Sequence, residues 1–205
     1  MHDDDHLRFT DLIRTFGRLR VLDGVSGTVS AGELLLVTGA NGSGKSTLLR
    51  CLAGLLNPQS GEIVCRIDGE EVDIETRRRT VGWIAPDLAF YGVLSAIENL
   101  NFFAKLRGVD PARGSALLKR MGLPPGRAAA ALSSGMRQRL RWAFALLHRP
   151  PILLLDEPLQ NLDAPGRAVV LELLGEALDY GALAVVANPD PLEMPHVARR
   201  LTLGG

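Results

Sequence analysis

The stretch "GANGSGKST", Gly39 to Thr47, packs three glycines, a lysine and two adjoining hydroxyl residues into nine positions. It satisfies G-x-x-x-x-G-K-[ST] and lies between an apolar run, "ELLLV", and an amphipathic one, "STLLRCLAGLL", the strand and helix that the pattern requires. Glycines at these spacings let successive N–H groups turn inward around phosphates, and a helix start adds the positive end of its dipole. Gly39, Ala40, Asn41, Gly42, Ser43 and Gly44 are therefore expected to hold the phosphates of a nucleotide by their backbone. Lys45 is expected to bridge the β- and γ-phosphates, Ser46 to ligate Mg²⁺, and Thr47 to bond on the α-phosphate side.

A second chemical group follows an apolar run, "ILLLDEP", which ends on Asp156 and Glu157. In open parallel sheets ligands bind at the carboxyl ends of strands, where this pair falls. Beside a phosphate loop, Asp156 is expected to hold Mg²⁺ through water, and Glu157 to polarise the attacking water as general base.

The elements that must position these groups can be read from periodicity. Alternating apolar residues from Leu7 to Leu36, a turn at Ala31-Gly32 and a strand ending at Thr38 predict a β-rich start. Leu48, Leu49, Leu52, Leu55 and Leu56 fall at helical spacing, with a stop expected at Asn57-Pro58. "GEIVCRIDGEEVD" reads as a hairpin and "TVGWIA" as a strand. Helices are then expected between Ser95 and Ala131: "SAIE" forms a capping box from Ser95 and Glu98, Asp110-Pro111 starts a second helix, and Gly122 ends it after Met121. The α/β pattern resumes with a helix after Ser133, the strand "ILLLDE", a helix around Arg167 to Leu178 and the strand "ALAVVA".

The 205 residues, 46% of them hydrophobic, suit one domain with a smaller inserted lobe. Basic and acidic residues number 23 each, so no overall field favours nucleic acid, and no nucleic-acid partner is expected. Arg77, Arg78 and Arg79 form the one compact basic cluster and are expected to be a solvated face or a rim that steers phosphates. Cys51 and Cys65, in apolar runs without metal-ligand spacing, read as reduced core residues of a cytosolic protein. The start "MHDDDHLRF" lacks a signal-peptide pattern, and the longest apolar runs are of strand length. Its two histidines and three aspartates are expected to be a frayed terminus rather than a metal site.

Taken in order, "GANGSGKST", "LSSGMRQRL", "ILLLDEP" and "NLD" at 161 to 163 make the chain resemble, over nearly its whole length, the nucleotide-binding subunit of ABC transporters. The resemblance implies an α/β fold: a RecA-like P-loop NTPase core with a mostly parallel sheet, an antiparallel β subdomain, and an inserted helical subdomain. The core would comprise 1–90 and 132–205, and the helical subdomain 91–131. The resemblance also implies that Ser133, Ser134, Gly135 and the helix start behind them bind the ATP held by an opposite subunit. Phe16 in "RTFG" matches the aromatic that stacks on adenine, and Asp163 the aspartate that communicates across the dimer. The junction of helical lobe and core matches the surface that receives a coupling helix from the membrane subunit.

Three positions depart from the family pattern. Ser134 and Met136 stand where glycine and glutamine are usual. Pro86 stands where a glutamine is expected, so either Asp87 beside it replaces the metal and water contact or that contact is missing. Asn188 stands where a switch histidine is expected, and its amide still donates to a γ-phosphate. The resemblance implies an ATPase subunit that dimerises with an identical or different ATP-binding subunit. It would be cytoplasmic and peripheral on the inner face of the membrane, driving transport, export in particular, through a separate membrane polypeptide. Its compactness is similar to the small haem-exporter ATPase of cytochrome c maturation and to compact export-type cassettes. The alternative, motivated by Pro86 and Asn188, is a nucleotide-gated binding or signalling module that hydrolyses weakly.

Overall fold

In a computed structural model of the chain, residues 5–191, 193–194 and 196–204 are described; His2, Asp3 and Asp4 of the acidic start lie outside them. Two sheets organise the molecule. The first is antiparallel, with β1 (His6–Phe16) between β2 (Leu19–Ser30) and β4 (Ser60–Ile67), and β5 (Glu70–Glu71) at the far edge. The second is parallel throughout, in the order β6 (Val81–Ile84), β7 (Ile152–Asp156), β8 (Leu183–Ala187), β3 (Leu34–Thr38), β9 (Val197–Thr202).

Strand alternation divides the core in two. Because successive side chains point to opposite faces, Leu34, Leu36, Leu153, Leu155, Ala184 and Val186 join one apolar cluster, and Leu35, Val37, Ile152, Leu154, Leu183 and Val185 the other. The second cluster receives helix α1 (Lys45–Leu52) through Leu48, Leu49 and Leu52, and the antiparallel sheet through Leu7, Phe9, Leu22 and Cys65. The first receives α5 (Ser134–Ala145) through Leu140, Trp142 and Ala143, and α6 (Ala164–Asp179) through Val170 and Leu174. It also receives α3 (Ala96–Leu106) through Ala96, Leu100 and Ala104, and α4 (Ala112–Arg120) through Leu117 and Leu118. Strands buried on both faces must be apolar at every position, as "LLLV" and "ILLL" are.

Four local expectations need correction. The helix after the phosphate loop stops at Leu52, because Gly54 adopts a left-handed φ of 74°; Leu55 is 59% exposed instead of continuing the apolar stripe. The arginine triplet is a solvated face only in part. It lies in a short helix, α2 (Ile74–Thr80), capped by the Asp73 side chain; Arg77 is buried, whereas Arg78 and Arg79 are exposed, Arg78 Nε donating to Gly54 O at 2.6 Å and Arg79 pairing with Glu75. Asp5 is not frayed, since its carboxylate accepts the Asp68 and Gly69 N–H groups at the β4–β5 turn. Strand β9 was not anticipated, because the two central arginines of "VARRLT" hide an edge strand. By contrast, the Ser95–Glu98 capping box forms in both directions. The two cysteines are buried free thiols, and burial pushes that of Cys65 up to about 11.

A half-buried histidine fastens α3 to the core. Arg107, the C-cap of α3, reaches both ring nitrogens of His148 at 2.7 and 2.6 Å, and His148 Nε2 lies 3.1 Å from Thr80 O. In the neutral ring Nε2–H donates to the carbonyl and Nδ1 accepts from the guanidinium, the approach of Arg107 to Nε2 then being a contact between two donors and not a hydrogen bond. Burial, and after it the Arg107 charge, push the His148 pKa down from the ordinary 6.5 to about 4. An unfolded chain therefore takes up a proton between those values that the native one refuses. The stabilisation is complete above the unfolded pKa and is lost as pH falls toward the folded one. The melting temperature of the protein is expected to fall more steeply from about pH 6.5 to about pH 4.5 than that of His148→Gln, measured by circular dichroism.

Candidate functional site

Three carboxyl ends of the parallel sheet lie side by side. β8 separates β7 from β3, with Ala187 opposite both Asp156 and Val37. Gly39, Asn188 and Glu157 thus leave the sheet from adjacent strands, and the backbone records it: Asn188 N donates to Val37 O at 3.0 Å and Glu157 N to Ala187 O at 2.9 Å. Helix α1 begins directly above this edge, with its N-terminal amides toward it.

The loop from Gly39 to Gly44 turns with left-handed φ at Gly39, Gly42 and Gly44. Gly44 shows why glycine is needed: at φ 100° a Cβ would stand 2.6 Å from Val21 O. Lys45 is buried, and its ammonium donates to Gly39 O at 2.6 Å and Ala40 O at 2.9 Å, so the cation is held over the loop's own carbonyls. Ser43 Oγ is buried with no hydrogen-bond partner. An open groove of about 340 Å³ lies over this loop, lined by Phe16, Val21, Asn41, Gly42, Gly44, Lys45, Ser46, Thr47 and Glu157. Phe16 and Val21 make one end apolar, while the loop amides and Lys45 make the other cationic. Phe16 is 48% exposed, and the Arg14 guanidinium lies 4.9 Å from the centre of its ring.

Asp156 is 4% exposed. Desolvation raises its pKa; a hydrogen bond with the Ser46 hydroxyl and the charges of Lys45 and Arg50 oppose that rise. A hydroxyl and a carboxylate touching beside a phosphate loop are hard oxygen donors of the kind that Mg²⁺ takes together with phosphate oxygens, so Ser46 and Asp156 fit that ion.

Glu157 has a φ of 47°, a left-handed backbone that costs a non-glycine residue about 1–2 kcal/mol. The turn is fixed from behind by two groups of α5 that sequence reasoning did not single out. Trp142 Nε1 and Gln138 Nε2 both donate to Pro158 O at 2.8 Å, filling both of its lone pairs. A buried glutamine and a buried tryptophan on an otherwise basic helix, four residues apart and on one face, were the available signal. The Glu157 carboxylate accepts from Gln160 Nε2 at 2.8 Å.

The remaining candidates do not line the groove over the phosphate loop. Ser133 N-caps α5, its hydroxyl oxygen accepting from Met136 N at 3.2 Å; Ser133 and Ser134 are exposed, and with Gly135 they lie outside the lining of the groove. Gly135 packs on the "NLD" loop so closely that a Cβ would stand 2.7 Å from Asn161 O. Asp163 N-caps α6 and lies 3.6 Å from Arg139. Asn188 Nδ2 donates to Asp190 O at 2.7 Å. Asp87 is paired with Arg50 at 2.9 Å and lines a second groove, of about 230 Å³, with Pro86, Leu88, Phe90, Arg137 and Arg141. Its charge still reaches Asp156, whose pKa it raises. Among the described residues no cluster of three or more His, Cys, Asp or Glu side chains could hold a metal ion.

Known proteins share this architecture. The family model described as "ABC transporter" matches residues 22–160. The spermidine/putrescine import ATP-binding protein PotA of Pseudomonas aeruginosa is 37% identical over 205 residues, which cover 96% of this chain and 56% of that protein. The cytochrome c biogenesis ATP-binding export protein CcmA of Rhodopseudomonas palustris is 38% identical over 178 residues, covering 86% of this chain and 88% of that protein. A solved chain described as the dimeric structure of a bacterial ABC transporter cassette superposes with a TM-score of 0.84 at 26% identity, covering 96% of this chain and 94% of that one. The chain spans little more than half the length of PotA. A family match that extends from β2, through the phosphate loop, to the turn after Glu157 makes this chain an ATP-binding domain of the ABC transporter family.

Proposed function

We propose that the protein binds Mg·ATP in the groove over Gly39–Thr47 and hydrolyses it as one of two subunits closed around two nucleotides, driving transport through a separate membrane polypeptide. The observation that carries this reading is the composition of the groove: phosphate loop, Phe16 and Glu157 converge on it, whereas Ser133, Ser134 and Gly135 stand outside it. An exposed helix start with a free O–H and unpaired amides suits a phosphate brought by a partner. In the reaction, Glu157 accepts a proton from water as its oxygen bonds to the γ-phosphorus and the bond to the ADP oxygen breaks. Lys45 exchanges its loop carbonyls for phosphate oxygens, and Phe16 stacks on adenine. The Asn188 amide donates to the γ-phosphate, and Asp87 supports the metal side through its field on Asp156. When bound, Mg²⁺ would neutralise charge between the β- and γ-phosphates, held by Ser46 and Asp156.

Among the described residues no helix is long and apolar enough to cross a membrane; in this reading the protein is a peripheral subunit on the cytoplasmic face. The segment 91–131 acts as the helical lobe, and the second groove, where it meets the core, receives the membrane partner. Export is supported by the CcmA relative, matched over most of both chains; PotA is an import protein matched over about half its length. The weakly hydrolysing alternative is separated from this reading by steady-state turnover.

Lys45→Ala is expected to weaken Mg·ATP binding by about thirtyfold or more, since it removes the charge-assisted contacts to two phosphates; calorimetry showing unchanged affinity would take the loop out of the mechanism. Glu157→Gln is expected to bind ATP as the parent does while turning over about a hundredfold more slowly. Size-exclusion chromatography should then show an ATP-dependent dimer.

The assignment of Ser133 to a partner's nucleotide is tested in a covalently linked dimer, one half carrying Lys45→Ala and the other Ser133→Arg. If the helix start acts across the dimer, both lesions fall in one composite site and the second site keeps turning over. A linked dimer of parent and Lys45→Ala halves reports whether one intact site can work alone. Turnover by that control without turnover by the mixed dimer would refute the assignment.

A further inference from the structure

Arg141 lines the second groove and donates three hydrogen bonds that no other side chain could combine. Its Nε reaches Leu88 O at 3.0 Å, one terminal nitrogen Pro86 O at 2.7 Å, and the other Gln138 Oε1 at 3.0 Å. Gln138, 2% exposed, then spends its amide N–H groups on Pro158 O at 2.8 Å and Glu157 O at 3.4 Å. A continuous run of hydrogen bonds therefore leads from the 86–88 loop, through a guanidinium and a buried carboxamide, to the backbone of the one residue proposed as general base.

Two features give this run a consequence. Each bond polarises the next, so a shift of Arg141 alters how strongly Gln138 holds the turn. The turn itself is held in tension: Glu157 keeps a left-handed φ of 47°, a conformation that persists only where surrounding contacts over-determine it. Trp142 and Gln138 supply those contacts from α5. The run also begins at Pro86, a residue with no side chain to donate or accept, so the hydrogen bonds from the loop to Arg141 pass through its carbonyls.

We propose that Arg141 is a positioning residue that transmits the state of the second groove to Glu157: with the 86–88 carbonyls in place the general base is aimed, and when a bound partner shifts that loop the aim changes. The inference deepens the proposed function and rests on its assignment of Glu157.

The test compares the full chain with Arg141→Ala and Arg141→Lys. Hydrogen–deuterium exchange comes first because it requires no catalysis. In Arg141→Ala the amides of 157–162 are expected to exchange about tenfold faster, along with those of 86–92, while the interior of α5 keeps its protection. Steady-state ATP hydrolysis by the same variant is expected to show kcat lowered about tenfold with KM for ATP within about twofold, the pattern of a mis-aimed base rather than of lost binding. Arg141→Lys, which keeps the charge but reaches one acceptor at a time, should resemble the alanine variant in both readouts. Faster exchange at 86–92 alone, or restoration of both readouts by lysine, would overturn the relay. A parent protein that binds ATP without hydrolysing it would instead overturn the role given to Glu157, and the exchange result would still decide whether the relay exists.

Discussion

Glu157 leaves its strand through a backbone angle that glycine adopts freely and glutamate does not. It stays there because Ala187 O holds its N–H while Trp142 and Gln138 close on the next carbonyl. Much of the architecture follows from this requirement. Helix α5 must pack along β6 with Gln138 and Trp142 facing the turn, so its apolar residues are committed to one face of the sheet. Gly135 must then be small, since the start of the same helix is pressed against Asn161 O. The helix start and the acidic turn are thereby one rigid unit.

The two sides of the parallel sheet serve different ends. One carries α1 and the antiparallel sheet, and with them the phosphate loop and Phe16; the other carries α5, α6 and the helical segment. Strands β3, β7 and β8 contribute alternate residues to each, so both halves are fixed to the same backbone within one residue's rise. Phe16 is held by a separate set of bonds. Gln59 N donates to Ile13 O at 2.8 Å, Thr15 N to Gln59 Oε1 at 2.6 Å, and Arg14 to Asn57 O at 3.1 Å. The end of β1 is thus tied to the chain just beyond α1, and the apolar end of the groove keeps its distance from the phosphate end.

What could be read in the sequence was what depends on local pattern. The phosphate loop, the strand that ends at Asp156, the Ser95 cap and the α5 start each follow from neighbours within a few positions, and each forms as expected. What escaped depends on distant partners. "IETRRRT" has no apolar period, and α2 begins at an Asp73 cap and places Arg77 inside, near Cys51 and Cys65, a burial that costs the guanidinium its solvation. "VARRLT" becomes a strand because β3 offers it an edge. Asp87 was read from its neighbour Pro86, whereas its carboxylate is engaged by Arg50, thirty-seven residues away in the chain. Gln138 and Trp142 meet Pro158 only because α5 returns antiparallel to the strand it precedes.

Only three of the 23 basic residues are lysines, Lys45, Lys105 and Lys119, and the bias has a structural use. Helix ends leave carbonyls without intrahelical donors, and here arginines supply them: Arg113 reaches Leu146 O at the end of α5, Arg139 reaches Met121 O at the end of α4, and Arg78 reaches Gly54 O beyond α1. A guanidinium can do this while bonding a second acceptor, as Arg141 does, because its donors diverge from one rigid plane. Such contacts fasten one element to the next. Lys45 is the buried exception, and its chemistry is the opposite one: a compact ammonium on a flexible stem binds Gly39 O and Ala40 O without being locked to them. A fork wedged between carbonyls would hold the loop shut, whereas a point charge can turn from those oxygens to phosphate oxygens as they arrive. In the proposed mechanism, then, arginines make joints that hold, and Lys45 makes the one contact that exchanges.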